Sequence, residues 1–436
     1  MNITVDPVGI ALLLGVFVFL LILKLPVAFS LAISAMVTAL YKGISLGALT
    51  QKMVAGVDSF SLLAIPFFIL AGEIMGAGGI SDRLVKLADV IVGRVRGGLA
   101  CVNVLDSTFF GAVQGSVVAD IASMGPIELR MMKKQGYPVD FSVCVTLSGA
   151  CQSVLIPPSH NMIIFASAVG GLSVGKLFMA GLIPGLVLGL IIMVQVYIIS
   201  WIRGYPKGEK YGFKEAIKII LECAAGLFTI FLIMGGVFAG IVTANESAVI
   251  ACIWAFFIAL FVYKGITVKD IWPILKRVLG TLAMVMTLIA ASSAFGYMMT
   301  IMHIPALITQ GLLTISENKV VLLLLINLAL LLLGAIMDMA PLILICAPIL
   351  YPVVTGPIIG MDPIHFGIMM LLNLSIGLLT PPVGTALFVG SGISGLRIEQ
   401  IAKAMVPFYC TMILALLLIT FIPELSMTIP NMMFGK

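Results

Sequence analysis

Charge is what this chain has least of. Asp, Glu, Lys and Arg make up 10% of its 436 residues, against about 25% in ordinary soluble domains, too few to coat a water-soluble surface. Histidine occurs three times, at His160, His303 and His365, too far apart to form a local metal motif, and the His-Glu-x-x-His pattern of a zinc protease is absent. The seven cysteines (Cys101, Cys144, Cys151, Cys223, Cys252, Cys346 and Cys410) stand singly in or beside apolar stretches. Such spacing suggests neither a disulfide frame nor a metal knuckle. A basic leader is missing too: Lys24 is the first basic residue and follows the first apolar run, so that run reads as a retained span and not a cleavable signal. Gly170-Gly171-Leu172-Ser173-Val174-Gly175-Lys176-Leu177 approaches a phosphate-binding loop. Leu177, however, stands where the magnesium-holding Ser or Thr belongs, and no hydrophobic strand precedes it. With no ATP engine visible, energy must come from an ion gradient or another subunit.

What is abundant is apolar sequence, 61% of the residues. It comes in long runs, among them Val8 to Leu23, Leu25 to Leu40, Leu177 to Ile202, Val320 to Leu333 and Phe408 to Ile422. A bilayer core about 30 Å thick takes roughly 20 such residues as a helix. The basic clusters lie between runs, at Arg94 and Arg96, Arg130 to Lys134, Arg203 to Lys218 and Lys269 to Arg277. A net charge of +5 placed in loops fits anionic lipid headgroups and the positive-inside bias, and argues for no nucleic acid partner. An all-α polytopic membrane protein is expected. The 26 methionines and the Gly181, Gly185, Gly189 ladder read as packing between helices and imply no cofactor.

The chain repeats itself. Ile156-Pro157-Pro158-Ser159 matches Thr380-Pro381-Pro382-Val383 at an offset of 224, Gly72 to Ile80 matches Gly296 to Ile304 at 224, and Gly111 to Pro126 matches Gly334 to Pro348 at 223 falling to 222. Downstream, Pro184 and Pro407 each open a final apolar run. Four landmarks in one order point to two related halves, the usual build of secondary transporters whose site lies where the repeats meet near the membrane midplane.

Each half holds two places where a spanning helix cannot run straight. Around Gly111 to Pro126 a polar knot of Gln114, Gly115, Ser116, Asp120 and Ser123 sits between apolar arms too short to span, and Gly334 to Pro348 holds Asp338 and Pro341. Irregular backbone at membrane depth survives only when buried in protein or lining a wet cavity, so re-entrant hairpins are expected. The Pro-Pro pairs make the second break, because proline removes a backbone donor and turns the preceding residue away from helix. Val139 to Ile156 and Ile364 to Leu379 should enter the breaks as half-helices, with Ser159 to Val169 and Val383 to Ile393 leaving them. Freed carbonyls suit a hard cation such as sodium, and half-helix N-termini suit a carboxylate.

Asp338, alone in an uncharged stretch from Val320 to Val354, is the sharpest candidate, since an acid at that depth costs at least about 2.5 kcal/mol. It either holds a cation or caps a helix nearer the surface. Gln114, Ser116, Ser159, Asn161, Thr380 and Thr385 supply side-chain oxygens at the breaks, either for ligand or for open backbone groups. His160 either bonds substrate or is a satisfied buried group. The expected sodium set is Gly115, Ser116, Pro157, Asp338, Thr380 and Gly384; the expected substrate set is Gln114, Ser159, His160, Asn161 and Thr385. Glu73 and Glu246 read as interhelical hydrogen-bonding groups.

Ile65-Pro66-Phe67-Phe68-Ile69-Leu70-Ala71-Gly72-Glu73, Gly115-Ser116-Val117-Val118-Ala119-Asp120, the first Pro-Pro segment, Leu177-Phe178-Met179-Ala180-Gly181-Leu182-Ile183-Pro184-Gly185 and Leu379-Thr380-Pro381-Pro382-Val383-Gly384 together resemble the large membrane subunit of tripartite ATP-independent periplasmic (TRAP) transporters. The likeness runs over nearly the whole chain. It implies two inverted repeats in an elevator-type carrier of the bacterial inner membrane, with a scaffold and a mobile transport domain. It also implies sodium coupling, a four-helix small membrane subunit, a periplasmic substrate-binding protein, and small organic acids such as C4-dicarboxylates or sialic acids as cargo. Two departures stand out: Gln114 replaces a serine of the first hairpin, and Thr243-Ala244-Asn245-Glu246 replaces a Thr-Pro-Thr-Glu pattern. No stretch resembles the small subunit, so an unfused large subunit, inactive alone, is expected.

The expected layout is an N-terminal scaffold over residues 1–59, a first repeat over 60–203 with hairpin 100–128 and broken helix 139–170, a central scaffold over 204–271, and a second repeat over 272–436 with hairpin 325–355, broken helix 364–393 and a final helix. A divalent-anion/sodium symporter that needs no binding protein is the alternative within transport. An intramembrane enzyme or assembly scaffold is the alternative outside it.

Overall fold

A computed structural model describes residues 6–208 and 211–435, so the ends of the chain and two residues of the expected central loop lie outside the described residues. The described chain is helical throughout, apart from one isolated bridge between Arg96 and Lys207. Its first half contains α1 (Pro7–Ile22), α2 (Val27–Tyr41), α3 (Leu46–Val57), α4 (Ala64–Ala77), α5 (Ile80–Val92), α6 (Gly98–Gln114), α7 (Val117–Lys134), α8 (Val139–Ala150), α9 (His160–Val169) and α10 (Val174–Ile202). The second half contains α11 (Phe213–Phe238), α12 (Ala244–Phe257), α13 (Val268–Ile301), α14 (Ile304–Ile315), α15 (Lys319–Gly334), α16 (Met339–Thr355), α17 (Pro363–Gly377), α18 (Thr385–Ser394), α19 (Ile398–Phe421) and α20 (Glu424–Phe434).

Among the described residues six helical stretches are long and apolar enough to cross a membrane: Phe60–Ala77, α10, α11, Ala244–Val262, α13 and α19. Many large apolar side chains stay exposed on these and neighbouring helices, including Trp201, Leu221, Phe231, Phe261 and Met284. Such a surface is stable against lipid tails and not against water.

Packing follows the internal repeat in a crosswise manner. α2 packs on α13 while α12 packs on α4; α9 packs on α16 while α18 packs on α7; α10 packs on α17 while α19 packs on α8. Each half therefore completes the other. Close backbone approach repeats as well: a Cβ on Gly111 would lie 2.6 Å from Ser153 Cα, and one on Gly377 would lie 2.7 Å from Gly334 Cα. In both halves the first hairpin arm is thus pressed against the half-helix that enters the break.

The structure corrects several details of the sequence reading. The knot at Gln114 to Ser123 narrows to Gly115 and Ser116, and α6 and α7 run 17 and 18 residues on either side. At 1.5 Å per residue each arm is about 25 Å long, still short of a bilayer core of about 30 Å. Pro126 and Pro348 lie inside α7 and α16, and Pro184 and Pro407 lie inside α10 and α19. A proline costs one backbone bond and bends a helix, but neighbouring helices hold these segments in place. The expected boundary between 271 and 272 falls inside α13, and the expected start of the second hairpin at 325 falls inside α15. The final helix α19 is followed by a further helix, α20. Its Ser426 hydroxyl meets Nδ1 of His365 at 2.5 Å, tying it to α17.

Candidate functional site

Both Pro-Pro segments interrupt their helices. In the first, α8 tightens through a 3₁₀ turn over Cys151–Val154 and gives way to irregular backbone until α9 begins at His160; in the second, residues 378–384 separate α17 from α18. The Pro157-Pro158 and Pro381-Pro382 bonds are both cis.

Hairpin tip and break meet directly in the first half. Gly115 ends α6 with φ +60°, a conformation that favours glycine, and a Cβ there would lie 2.7 Å from both the Pro158 carbonyl oxygen and Ser159 Cα. Ser159 Oγ and Asn161 Nδ2 each approach the Gly115 carbonyl at 3.4 Å, contacts too long to saturate that oxygen. His160 lies against the backbone of Gln114. Ser159 and Asn161 are buried, and so are Gly115 and Pro157. Gln114, Gly115, Pro157, Ser159, His160 and Asn161 therefore form one cluster. Ser116 caps α7, its hydroxyl accepting from the Ala119 amide at 3.4 Å.

The second half joins tip and break differently. The Ala335 carbonyl accepts the amides of Val383 and Gly384, both at 3.0 Å. Gly384 takes φ +54° and its carbonyl accepts from Leu387 at 2.8 Å. Thr380 spends its hydroxyl on the Ile376 carbonyl at 2.9 Å, which is the helix-satisfying alternative for that side chain. Thr385 opens α18 with a buried hydroxyl oxygen that has no hydrogen-bond partner. Gln114 Oε1, at the tip of the first hairpin, is likewise buried without a partner. Buried oxygens without partners are uncommon and mark places where an ion, water or ligand belongs.

Asp338 stands at the N-cap of α16, at the second hairpin tip as expected; its side chain makes no cap bond and is exposed. At this turn Ile336 and Asp338 are exposed, while Ala335, whose carbonyl bonds into the break, is buried. Of the two side acids, Glu73 accepts from Arg277 Nε at 2.9 Å, joining α4 to α13, and Glu246 closes a capping box with Thr243 on α12. The Glu73 contact is interhelical as expected; that of Glu246 is confined to the cap of its own helix, which corrects the interhelical reading.

Two cavities lie between the hairpins and the helices outside them. One, of about 360 Å³, is lined by Glu73, Gly76, Gln114, Ser123 and Arg277 among others; the second, of about 320 Å³, is lined by Gly56, Ser59, Ser167, Ser293 and Pro348 among others. Each opens on the second arm of one hairpin and on α13.

The sequence reading assigned no role to a further group on the first hairpin. Asn103, Asp106, Asp120, Glu128 and Thr146 are all buried on α6, α7 and α8. The signal was present as polar residues three apart, Asn103 and Asp106, within an apolar helix.

A family model described as "Tripartite ATP-independent periplasmic transporter, DctM component" matches residues 14–425. The chain belongs to the TRAP large-permease family. It is therefore a multi-pass transporter protein of the bacterial inner membrane and not an enzyme. Similar family members include the sialic acid TRAP transporter large permease protein SiaM of Vibrio cholerae, 36% identical over 419 residues, covering 95% of this chain and 97% of that protein. The isethionate TRAP transporter permease protein DctMQ of Oleidesulfovibrio alaskensis is 36% identical over 97% of this chain and 66% of its own length. Among solved structures, the YdaH transporter of Alcanivorax borkumensis superposes with a TM-score of 0.60 over 86% of this chain and 88% of its own, at 14% identity. At that identity it supports the TRAP permease's fold alone.

Proposed function

We propose that this TRAP permease carries a small organic acid anion, of the C4-dicarboxylate or sialic acid type, into the cell with sodium, after a periplasmic binding protein delivers it. A four-helix small membrane subunit completes the complex. The relatives' substrates, sialic acid and isethionate, are both organic anions, which supports the cargo class. The carrying observation is the junction of Gly115 with Ser159 and Asn161, repeated in another form at Ala335 and Gly384. Two hairpin tips touch two unwound segments, and orphan oxygens remain at Gln114 and Thr385.

Carbonyl and hydroxyl oxygens of this kind replace the hydration shell of a hard monovalent cation. Gly115, Ser116 and Pro157 would contribute on the first half, with Thr380, Gly384 and Asp338 on the second. The positive N-terminal ends of α9 and α18 would favour a carboxylate, with Ser159, His160, Asn161, Thr385 and Gln114 around it. Sodium binding first would order the tips against the breaks and complete the anion site. The hairpins and broken helices would then move as one body against the scaffold, across the two cavities that separate them, as an elevator built from two inverted repeats.

Reconstitution tests this reading. The purified permease with its small subunit should take up labelled acid into proteoliposomes only when the binding protein and an inward sodium gradient are both supplied. Uptake without the binding protein would instead identify a self-sufficient symporter, and unchanged uptake with potassium in place of sodium would remove the coupling. No flux under any gradient would leave a scaffold.

A further inference from the structure

The buried polar group of the first hairpin is short of one hydrogen. Asn103 Nδ2 donates to Thr146 Oγ1 at 2.7 Å and also meets Met132 Sδ at 3.8 Å, and Thr146 Oγ1 donates to Glu128 Oε2 at 3.0 Å. That uses every donor the three side chains possess apart from the second amide hydrogen turned to sulfur. Asn103 Oδ1 and Glu128 Oε1 are left over, both buried and both without a partner. They line the same small cavity with Asp106, Val85, Leu99, Val102, Met131 and Met132. Its volume is about 10 Å³, room for one water at most. Two acceptor oxygens therefore face one closed space, and neither Asn103, Thr146 nor Glu128 has a donor left for them.

Turning the Asn103 amide over does not cure the shortage. Oδ1 would then need the Thr146 hydroxyl hydrogen that Glu128 Oε2 already takes. Nor does a counter-ion cure it. The charged groups acting most strongly on Glu128 are Asp106 on α6 and Asp120 on its own helix, both acidic. α8 brings Thr146 to this face. α18, which also packs on α7, carries no titratable residue from Thr385 to Ser394. α5, whose Val85 lines the cavity, carries Arg83, which bonds the Gly79 carbonyl and lies over Tyr263, Lys86, which is exposed, and Asp89, which accepts from Tyr211. Among the described residues no group of three or more His, Cys, Asp or Glu is arranged to hold a metal ion. An ionised carboxylate in such a place, facing two further acids, is among the most costly arrangements in a protein interior.

We propose that Glu128 is a proton-binding site inside the first hairpin, the proton sitting on Oε1 and donated to Asn103 Oδ1. A single water could donate to both oxygens but would leave Glu128 charged beside Asp106 and Asp120, whereas a proton satisfies both oxygens and removes one buried charge. The site is separate from the sodium and substrate groups at the hairpin tip, being held between the arms and α8. It makes the first hairpin a carrier of a proton as well as a wall of the transport site.

Infrared spectroscopy of the full-length permease in lipid nanodiscs tests this without recourse to transport. Wild type at neutral pH should show a protonated-carboxyl C=O stretching band that shifts on deuterium exchange. Glu128→Gln should lose that band. Thr146→Val, which removes the hydroxyl donated to Oε2, should retain the band at a changed frequency. An identical carboxyl region in wild type and Glu128→Gln overturns the proposal. If Glu128→Gln does not accumulate as folded protein, Thr146→Val decides: a shifted band supports the assignment, and a band at the wild-type frequency overturns it.

Discussion

Cys151 Sγ and Ser375 Oγ lie 2.9 Å apart, and their positions differ by 224, the same offset that aligns the two Pro-Pro segments. Two positions equivalent under the sequence repeat therefore touch, just before each chain unwinds into its Pro-Pro segment.

Crowding at that point should be felt by both halves. Cys151→Leu and Ser375→Leu each add volume where neither neighbour can yield, and each should destabilise the chain by about 1–3 kcal/mol. Because the two side chains touch, the double variant should depart from additivity. Thermal unfolding of the detergent-solubilised protein measures both effects.

Gly115→Val should disable transport more than it lowers stability. The new side chain must part the hairpin tip from Pro158 and Ser159, so uptake by the complete complex should fall at least about tenfold, equivalent to about 1.4 kcal/mol at the site. Gly136→Ala is the control, since Gly136 also has positive φ but a Cβ there meets nothing within 4 Å. It should carry only a local backbone cost of about 1 kcal/mol and leave uptake near wild type.

Thr385→Val separates ligand binding from folding. The hydroxyl has no partner within the chain, so removing it should leave thermal stability unchanged or raise it. If the oxygen serves the substrate anion, the acid concentration for half-maximal uptake should rise about tenfold, corresponding to about 1.4 kcal/mol. An unchanged dependence on the acid would release Thr385 from the site.

Asp6 joins the start of α1 to the end of α2 by pairing with Lys42 at 2.5 Å. The Lys42 ammonium, followed by the Gly9 amide, holds its carboxyl below the ordinary value of 3.8. A group lowered on folding contributes stability above its unfolded value and loses it as pH falls through the folded one. The melting temperatures of wild type and Asp6→Asn should therefore differ at pH 7, and the difference should shrink only as pH falls below 3.8.

The breaks were legible in the sequence because proline and glycine act through their own backbones. Pro157-Pro158, Pro381-Pro382 and Gly115 mark irregular segments whatever surrounds them, and the half-helices begin within two residues of expectation. Asp338 shows where that logic stops. An acid in an apolar run announces its rarity but not its direction, and Asp338 is exposed at a turn whose Ala335 carbonyl bonds to amides nearly fifty residues later. Glu128 was passed over for the converse reason: it sits near the basic end of α7, and only the packing of α6 and α8 encloses it.

Sequence alone determined the membrane class, the offset of 224 and the four places where helices must end, since hydropathy and backbone chemistry are properties of single residues and their order. Tertiary structure decided which oxygens are left without donors. Gly115 meets Ser159 across 44 positions and Thr146 meets Glu128 across 18, and whether such atoms are paired, exposed or orphaned is set by helices that the chain brings together only after folding.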